Sequence, residues 1–410
     1  MATGSIVSLI VTLDRETTIL ITCAKGLIDW LVQDLARLGY QPETVHRTSV
    51  TLKGTMLDCM RLNLGLFTAF EVLYFLDEFP CRDGDQLYQQ VMKLPWEEWI
   101  DVDEYLTVTS RVDTPSVNNS MFPSLKVKDA IVDRINSRAG RRPDSGPDRN
   151  GVVVTLYWKD NHARIYFNTS GSKLADRGYR RIPLNAPMQE TLAAAVLLAS
   201  GYDGTKPLVA PMCGSGTLAI EAALIATGRA PGLLRANFGL NHIKGVDLDA
   251  WKTLRRDLQK KAKKHATPAP IIASDVDERA IEAARKNATT AGVERLIEFH
   301  VCDFTTSPIP TCDEGGVVIL NPEYGLRLGD VKGLEHTYGR IGDFFKTRCQ
   351  GYTGCLFTGN LDLAKKIGLK ASRRIPFLNG GIDCRLLKYE IYIGSRRDQN
   401  VEASKPSIEA

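Results

Sequence analysis

A glycine-containing loop between an apolar run and a helical run is the feature that most constrains the fold of this chain. Residues 208–210 are typical of a short buried strand, and residues 218–226 have the spacing of a helix that packs on a sheet. Between them, Gly214 and Gly216 allow a tight turn. A helix N-terminus presents free backbone N–H groups, and glycines let a ligand approach them closely. The stretch predicts a site for a nucleoside or an anionic group, although a purely structural turn would give the same pattern.

The spacing of these glycines disfavours two common phosphate sites. It matches neither the ATP-binding phosphate loop nor the GxGxxG fingerprint of dinucleotide-binding folds. A nucleoside ligand of another kind therefore fits the loop better.

Three further apolar runs each end in polar residues. Asp275 and Asp277 follow the second run, Asp303 follows the third, and the letters NPEYG follow the fourth from position 321. The carboxyl ends of parallel strands form the ligand-binding edge of an open α/β sheet, where an acid can accept hydrogen bonds from ribose hydroxyls. The NPEYG stretch could be no more than a turn after a strand, but three preceding motifs in the same order favour a site.

The stretches PMCGSGT, SDVD, CDF and NPEYG resemble the class I S-adenosylmethionine-dependent methyltransferases that modify an exocyclic base amine. From about residue 17 to residue 394 the chain is similar to the THUMP-domain branch of that family, which includes the N-terminal half of the bacterial 23S rRNA guanine-N2 methyltransferases. Further matching stretches are ITCAKGLIDWLVQDLARLGY, FNTSGSKLADRGYRR, APMQETLAAAVLLASGY, RAPGLLRANFG and SRRIPFLNGGIDCRLLKYEI.

The resemblance implies an α/β fold in which a Rossmann-like class I methyltransferase sheet is preceded by a ferredoxin-like plus THUMP α+β module. We expect the ferredoxin-like module in residues 1–75, the RNA-binding THUMP domain in 76–172 and the methyltransferase domain in 173–395. Residues 396–410 are polar and aperiodic, and we expect them to be disordered.

The resemblance also implies the site residues. S-adenosylmethionine is the expected cofactor, with Asp275 on its ribose and Asp303 beside its adenine amine. The catalytic residues would be Asn321, Pro322 and Tyr324, with the first two accepting hydrogen bonds from the target amine and Tyr324 stacking on the flipped base. The full expected set of cofactor-binding residues is Glu190, Met212, Cys213, Gly214, Ser215, Gly216, Asp275, Asp303 and Asn321.

An RNA-binding surface is expected where the charge changes sign. Residues 1–125 contain 9 Lys/Arg and 17 Asp/Glu, whereas residues 126–181 contain 13 Lys/Arg and 6 Asp/Glu. A basic face of this kind suits a polyanion, although a solvated surface would look the same and the net charge of +4 does not decide between them. Residues 251–265 form a second basic stretch that could touch phosphates. The expected RNA-binding residues are Lys126, Lys128, Arg141, Arg142, Lys173, Arg177, Arg180 and Arg181.

Two positions depart from the family pattern. Ala210 stands where the family usually has Asp, so another acid such as Glu190 would have to hold the methionine ammonium of the cofactor. Glu323 stands where the family usually has Pro, which leaves the loop freer and adds a charge near the base. These changes could reduce activity or alter base choice.

The sequence thus predicts a cytoplasmic, monomeric enzyme that methylates the N2 amine of a guanine in RNA, with 23S rRNA as the first candidate. The alternatives are a tRNA guanine-N2 methyltransferase and a catalytically degenerate RNA-binding or ribosome assembly factor. A DNA adenine methyltransferase could use the same NPEYG motif, but the THUMP-like half favours RNA. Nine cysteines without a CxxC pair and six histidines without ligand spacing predict no metal. No apolar run reaches about 18 residues, which predicts no membrane span.

Overall fold

The computed structural model describes residues 13, 15–115, 117, 119, 121–182, 184, 188–262, 269–324 and 331–394. The expected disordered tail at 396–410 lies outside the described residues, as do residues 263–265 of the second basic stretch. The chain divides into two compact units. The first comprises Met1–Cys23, Leu31–Asp176 and Arg235–Leu258, and the second comprises Ala24–Trp30, Arg177–Leu234 and Gln259–Ala410.

The strands and helices of the described residues are numbered here in chain order. The strands are β1 (Thr17–Thr22), β2 (Thr44–His46), β3 (Ser49–Gly54), β4 (Glu71–Pro80), β5 (Leu106–Asp113), β6 (Val152–Lys159), β7 (His162–Asn168), β8 (Leu208–Pro211), β9 (Ile271–Asp275), β10 (Ile297–Val301), β11 (Val317–Leu320), β12 (Thr353–Thr358), β13 (Arg373–Asn379) and β14 (Ile382–Glu390). The helices are α1 (Ile28–Arg37), α2 (Met56–Gly65), α3 (Gly84–Val91), α4 (Trp96–Trp99), α5 (Met121–Ala139), α6 (Glu190–Ser200), α7 (Thr217–Ala226), α8 (Leu248–Ala262), α9 (Glu278–Ala291), α10 (Val331–Arg348) and α11 (Leu361–Lys365).

The first unit is built on a mixed sheet with the strand order β2-β3-β1-β4-β7-β6-β5. Strand β1 lies antiparallel to β3 and β4, while β5 and β6 are parallel. Its core includes Trp96, Trp99 and Phe167, whose rings pack edge to face with centroids 5.5–6.1 Å apart. This α+β arrangement agrees with the prediction for the N-terminal half.

Residues 235–258 group with the first unit although they fall inside the segment predicted as the methyltransferase domain. Arg235 is buried and explains part of this grouping, because its guanidinium donates to the carbonyl oxygens of Lys173 at 2.5 Å and Ser170 at 3.0 Å. The predicted boundaries of the individual domains stay predictions.

The second unit is built on a sheet with the strand order β10-β9-β8-β11-β12-β14-β13. The five strands from β10 to β12 run parallel, and β14 and β13 complete the sheet antiparallel. The predicted Rossmann-like class I methyltransferase sheet is therefore confirmed. Strands β8, β9 and β10 follow one another toward one edge of the sheet. The next strand in the chain, β11, pairs with the other side of β8. This reversal creates a switch point, and ligands of open α/β sheets bind outside the strand ends at such points.

Helix α9 matters for the site because it follows β9 directly. The Asp277 side chain caps its first turn by accepting a hydrogen bond from the Arg279 N–H at 2.9 Å. The helix ends at Ala291, and the next residue, Gly292, caps it with a φ of 69° in the left-handed region. Its buried face includes Ala284 and Asn287, which point toward the loop after β8.

Candidate active site

The loop after β8 turns sharply through three residues with positive φ. Met212 has a φ of 61°, Gly214 of 53° and Gly216 of 84°. The loop is closed by a 2.9 Å hydrogen bond from the Gly216 N–H to the Cys213 carbonyl, and the Cys213 N–H donates to the Ser274 carbonyl at 2.9 Å. Helix α7 then begins at Thr217 with Gly216 as its cap residue, so its free N–H groups lie at the end of β8.

The two glycines of this loop have different surroundings. A Cβ on Gly214 would meet nothing within 4 Å, whereas a Cβ on Gly216 would lie 2.8 Å from the Ala284 Cβ. Gly216 is thus required for packing against α9, and Gly214 borders open space. This open space leaves room for a ligand beside Gly214, and the predicted contact of the loop with the cofactor stays a prediction.

Asp275 lies at the end of β9 and faces the loop. Its Oδ2 accepts a hydrogen bond from the Gly214 N–H at 2.9 Å, and its Oδ1 accepts one from the Asp277 N–H at 3.1 Å. A carboxylate oxygen can accept more than one hydrogen bond, so both oxygens keep capacity for ribose hydroxyls. Asp277 is instead occupied by the cap of α9 and by the Arg279 guanidinium at 3.0 Å.

Asp303 follows β10 and is held by three donors on one oxygen. Its Oδ1 accepts from the Thr305 N–H at 3.0 Å, the Thr305 hydroxyl at 2.6 Å and the Arg340 guanidinium at 2.7 Å. Partial burial raises the pKa of this carboxyl, but the hydrogen bonds from Thr305 and the charge of Arg340 outweigh burial and lower the pKa below its usual value. Asp303 is therefore ionised near neutral pH, and its second oxygen is available to an amine donor.

Glu190 opens helix α6 and is paired with Arg180. The Arg180 guanidinium lies 3.1 Å from the Glu190 carboxylate and donates to the Met188 carbonyl at 2.7 Å. It also reaches the hydroxyl of Thr217, the first residue of α7, at 3.3 Å. Ala210 is fully buried in β8 and offers no carboxylate. Glu190 is thus already paired with Arg180, and its predicted contact with a cofactor ammonium stays a prediction.

The predicted catalytic motif follows β11 at the other side of the switch point. Strands β11 and β8 are in register, with Val317 opposite Leu208, so both loops leave the sheet at the same edge. The Tyr324 hydroxyl donates to the Asn321 Oδ1 at 2.6 Å, and Pro322 is buried. Burial raises the pKa of Tyr324, so its phenol stays a donor.

Two residues that sequence reasoning missed hold the main chain of this motif. Buried Tyr338 on α10 donates to the Glu323 carbonyl at 3.3 Å, and the Asn360 side chain donates to the Tyr324 carbonyl at 3.2 Å. These bonds supply some of the stiffness that a second proline gives in the family pattern. The Glu323 side chain itself is exposed. Tyr338 lies 15 positions after Glu323 and Asn360 lies 36 positions after Tyr324, so both are outside the local motif that the sequence shows.

The predicted RNA-binding residues of the first unit are exposed or half-buried but mostly paired. Lys126 lies 3.1 Å from Asp85, and Lys128 lies 3.1 Å from Asp129. Exposed pairs of this kind contribute little stability, so a phosphate can replace the carboxylate. Two more pairs join Arg141 to Asp103 and Arg142 to Asp133.

Four other predicted cations lie near the end of the THUMP-like segment. Lys173 is exposed and lies over the Phe70 ring at 5.1 Å, and Arg181 is exposed. Arg177 differs, because its side chain is 1% exposed and lies 3.6 Å from Glu221, which is fully buried. Arg180, at 14% exposure, is largely buried as well. The structure contradicts the predicted RNA contact of Arg177, because a phosphate backbone does not reach so buried a group, and it favours a structural role for Arg180.

The described part of the chain contains neither a metal-binding cluster nor a membrane-spanning helix. No group of three or more His, Cys, Asp or Glu residues there could hold a metal ion. No described helix is long and apolar enough to cross a membrane. All nine cysteines are free thiols.

Three family models match successive parts of the chain. The RlmL ferredoxin-like domain matches residues 18–73, the THUMP domain matches 81–168, and the RMKL-like methyltransferase domain matches 177–388, which is more than half of the chain. The chain belongs to the RMKL-like methyltransferase family. The predicted resemblance to THUMP-domain, S-adenosylmethionine-dependent methyltransferases is confirmed.

Curated relatives of this RMKL-like chain carry RNA methyltransferase names. The ribosomal RNA large subunit methyltransferase K/L of Syntrophotalea carbinolica is 36% identical over 386 residues, covering 92% of this chain and 54% of the relative. This chain thus spans about half the length of the K/L relatives it matches. The slr0064 protein of Synechocystis sp., provisionally named an RNA methyltransferase, is 34% identical, covering 90% of this chain and 96% of the relative.

Solved structures support the same family. The SMU.472 protein in complex with SAH has a TM-score of 0.81 and 28% identity, covering 93% of this chain and 100% of that one. A Listeria monocytogenes protein, named by prediction an N6-adenine-specific DNA methylase, has a TM-score of 0.80 and 29% identity, covering 93% and 97%. SAH is the demethylated form of S-adenosylmethionine, so this comparison confirms the predicted cofactor class for the RMKL-like chain.

Proposed function

We propose that this RMKL-like chain transfers a methyl group from S-adenosylmethionine to the exocyclic N2 amine of a guanine in RNA, with 23S rRNA as the substrate. The observation that carries the proposal is the position of the Asn321 carboxamide, which follows β11 beside the glycine loop of β8. A methyl-transfer site needs a polar acceptor for the target amine at this place, because donor and acceptor must meet at the switch point.

The cofactor fits the residues that face the loop. Asp275 holds the ribose hydroxyls, and Asp303 accepts from the adenine amine through the oxygen that Thr305 and Arg340 leave open. The open space at Gly214 admits the cofactor to the backbone N–H groups at the start of α7. The bound cofactor supplies an activated methyl group on a sulfonium.

The protein's part in the chemistry is to orient the base and to favour a nucleophilic amine. An exocyclic amine is a poor nucleophile because its lone pair is conjugated with the ring. Asn321 accepts a hydrogen bond from one amine N–H through its Oδ1, and the Pro322 carbonyl accepts from the other. Both contacts favour a tetrahedral nitrogen in the transition state. The Tyr324 hydroxyl fixes the Asn321 carboxamide in this orientation at 2.6 Å.

RNA is favoured over DNA as the substrate by the THUMP match at residues 81–168 and by the names of the curated relatives. Ribosomal RNA is favoured over tRNA because the K/L relatives are named for the large ribosomal subunit. A tRNA guanine-N2 activity is the second candidate. A degenerate RNA-binding or assembly factor is the third, and Ala210 and Glu323 are the residues that favour it.

The purified full chain, labelled S-adenosylmethionine and three RNA fractions test the proposal. Ribosomal 23S RNA, 16S RNA and tRNA lacking modifications are each incubated with the chain, and nucleosides are separated by mass spectrometry. The expected product is N2-methylguanosine in 23S RNA alone. The same mark in tRNA alone would move the assignment to the second candidate, and N6-methyladenosine would show that the base is wrong. Calorimetric titration without detectable cofactor binding would favour the degenerate binding factor.

A further inference from the structure

Strand β9 and helix α9 contact the glycine loop at three consecutive positions. Within residues 214–216, the first residue donates its N–H to the Asp275 carboxylate at 2.9 Å. The second accepts at its carbonyl from the Asn287 side chain at 3.1 Å. The third packs so closely against Ala284 that an added Cβ would lie 2.8 Å from the Ala284 Cβ. Ala284 and Asn287 are three residues apart on α9 and share one face of that helix.

Asn287 is the member of this group with the most hydrogen bonds. Its Oδ1 accepts from the N–H groups of Arg181 at 2.9 Å and Ile182 at 3.1 Å. Its Nδ2 donates to the carbonyl oxygens of Ile182 at 3.2 Å and Ser215 at 3.1 Å. A carboxamide offers two donors and two acceptor sites, so this fully buried side chain is saturated by four main-chain partners.

The segment that Asn287 binds is also fixed by its neighbour. Arg180 directly precedes the two residues held by Asn287, and its guanidinium contacts the Thr217 hydroxyl at 3.3 Å. Residues 180–182 are therefore attached both to the loop, through Asn287, and to the first residue of α7. No motif in the sequence marked Asn287, because its partners lie up to 106 positions away.

We propose that Asn287 is a positioning residue for the cofactor, which sets the place of the Ser215 peptide and thereby the direction of the N–H groups at the start of α7. The inference rests on the proposed function, because it assumes that S-adenosylmethionine binds at this loop. Asn287 acts through the loop and does not touch the cofactor. The glycine loop and residues 180–182 thus form one rigid wall of the cofactor site.

Two substitutions test this role of Asn287. Asn287→Asp keeps an acceptor for the N–H groups of Arg181 and Ile182 but removes the donor to the Ser215 and Ile182 carbonyls and places a carboxylate beside them. Asn287→Ser is milder and avoids a buried charge, so it serves if the first variant fails to fold. Arg285→Gln is the matched control, because Arg285 lies on the exposed face of the same helix, where it pairs with Glu294 at 3.3 Å and lies over the Phe299 ring at 4.9 Å.

The full-length chain and its variants are titrated with SAH by calorimetry, and thermal unfolding is followed with and without SAH. We expect the Kd of SAH to rise about tenfold or more in Asn287→Asp and several-fold in Asn287→Ser, as for loss of a well-placed hydrogen bond. The SAH-induced rise in Tm should shrink accordingly, since it depends on the Kd. RNA affinity should stay within twofold of the wild type.

A merely structural role predicts a different result. It would lower Tm equally with and without SAH and leave the SAH-induced rise unchanged. A folded Asn287→Ser variant with the wild-type Kd and the wild-type rise in Tm would overturn this inference alone, with the proposed function intact. Failure of the wild-type chain to bind SAH would instead overturn the proposed function and this inference together.

Discussion

The Tyr324 hydroxyl donates a 2.6 Å hydrogen bond to the Asn321 carboxamide oxygen, three residues earlier in the same loop. The bond commits one lone pair of Oδ1 and leaves the other for the target amine. The Tyr324 ring lies 6.3 Å from the Phe357 ring, and Gly359 has no side chain that would collide with it. Tyr324 therefore orients Asn321 in addition to the stacking role predicted for it.

This relationship predicts a graded loss of activity. Asn321→Ala should lower kcat by about 100-fold or more, as when a preorganised polar group is removed from an active site. Tyr324→Phe should lower kcat by about tenfold, because it removes one hydrogen bond and keeps the ring. Rates of methyl transfer at saturating cofactor measure both effects. Tyr352→Phe, which removes a buried hydroxyl bonded to the Pro310 carbonyl, is the control and should keep the wild-type kcat. A wild-type rate for Asn321→Ala would refute the assigned role.

The two loop glycines should respond differently to alanine. Gly216→Ala places a Cβ against Ala284 at 2.8 Å and should lower the free energy of unfolding by roughly 1–3 kcal/mol through overpacking, in addition to about 1–2 kcal/mol of backbone strain at its positive φ. Gly214→Ala shares the positive φ but meets open space, so it should cost only about 1–2 kcal/mol of backbone strain. Gly214→Ala should instead raise the Kd of SAH, because the new Cβ enters the space proposed for the cofactor. Urea unfolding and calorimetry on both variants test this; equal stability would show that Ala284 yields readily.

Asp275 and Asp277 should separate cofactor binding from helix capping. Asp275→Ala removes the carboxylate assigned to the ribose and should weaken SAH binding by about tenfold or more. Asp277→Ala should leave the Kd of SAH nearly unchanged but lower the free energy of unfolding, because it removes the cap of α9. Calorimetry and urea unfolding distinguish the two. The reverse pattern would mean that Asp277 is the ribose ligand.

The exposed arginines of the THUMP region should govern RNA affinity. Arg141 and Arg142 are each 58% exposed, and their surface pairs with Asp103 and Asp133 are readily exchanged for phosphates. Their double replacement by alanine should weaken RNA binding and flatten its salt dependence by about 0.7–0.9 per lost phosphate contact. Filter binding at several salt concentrations measures the slope.

A matched control for that experiment is Arg164→Ala. Arg164 lies in the same unit, is 54% exposed and pairs with Glu78 at 3.0 Å, but it was not predicted to bind RNA. It should leave both affinity and slope near the wild type. If Arg164→Ala and the double variant weaken RNA binding equally, the effect is one of general charge. If Asn321→Ala weakens RNA binding more than the double variant does, the proposed division between binding and catalysis is wrong.

The buried pair of Glu221 and Arg177 should make stability depend on pH. Burial raises the pKa of Glu221 from 4.5 to about 7, although Arg177 and the Tyr179 hydroxyl act against the shift. Because the folded pKa exceeds the unfolded one, the folded state binds more protons between these values. The stabilising contribution is complete below about pH 4.5 and is lost as the pH rises through about 7.

Urea unfolding at pH 5.5 and pH 8 should therefore give a lower free energy of unfolding at the higher pH. Replacing both Arg177 and Glu221 by methionine should flatten this dependence, since it removes both charges. It should also lower the free energy of unfolding by about 1–3 kcal/mol, because the buried Tyr179 hydroxyl loses its 3.0 Å hydrogen bond to Glu221. Glu221→Met alone should be strongly destabilised, since it leaves the Arg177 charge buried. Unchanged pH dependence in the double variant would assign it to other groups.

The sequence by itself determined the order of strands, the glycine loop and the polar residues at the strand ends. Apolar runs such as Val317–Leu320 are short, and polar residues or glycines follow them. This change in composition marks where each strand ends. Carboxyl ends of parallel strands share an edge, and this geometric rule alone brings Asp275, Gly214 and Asn321 to one side of the sheet. Each of these follows from local pattern and chain direction.

The tertiary structure decided which partner each polar group takes. Arg180 and Arg177 look like surface cations in the sequence, yet they lie against Glu190 and Glu221, and Asn287 binds residues more than 100 positions away. Charge and spacing do not encode such pairings, because burial depends on which helix face packs against which strand end. A buried polar group must then find a partner within reach, since an unpaired one costs about 1–3 kcal/mol. The contacts of Asn287 with the glycine loop and with residues 180–182 are therefore visible only in the folded chain.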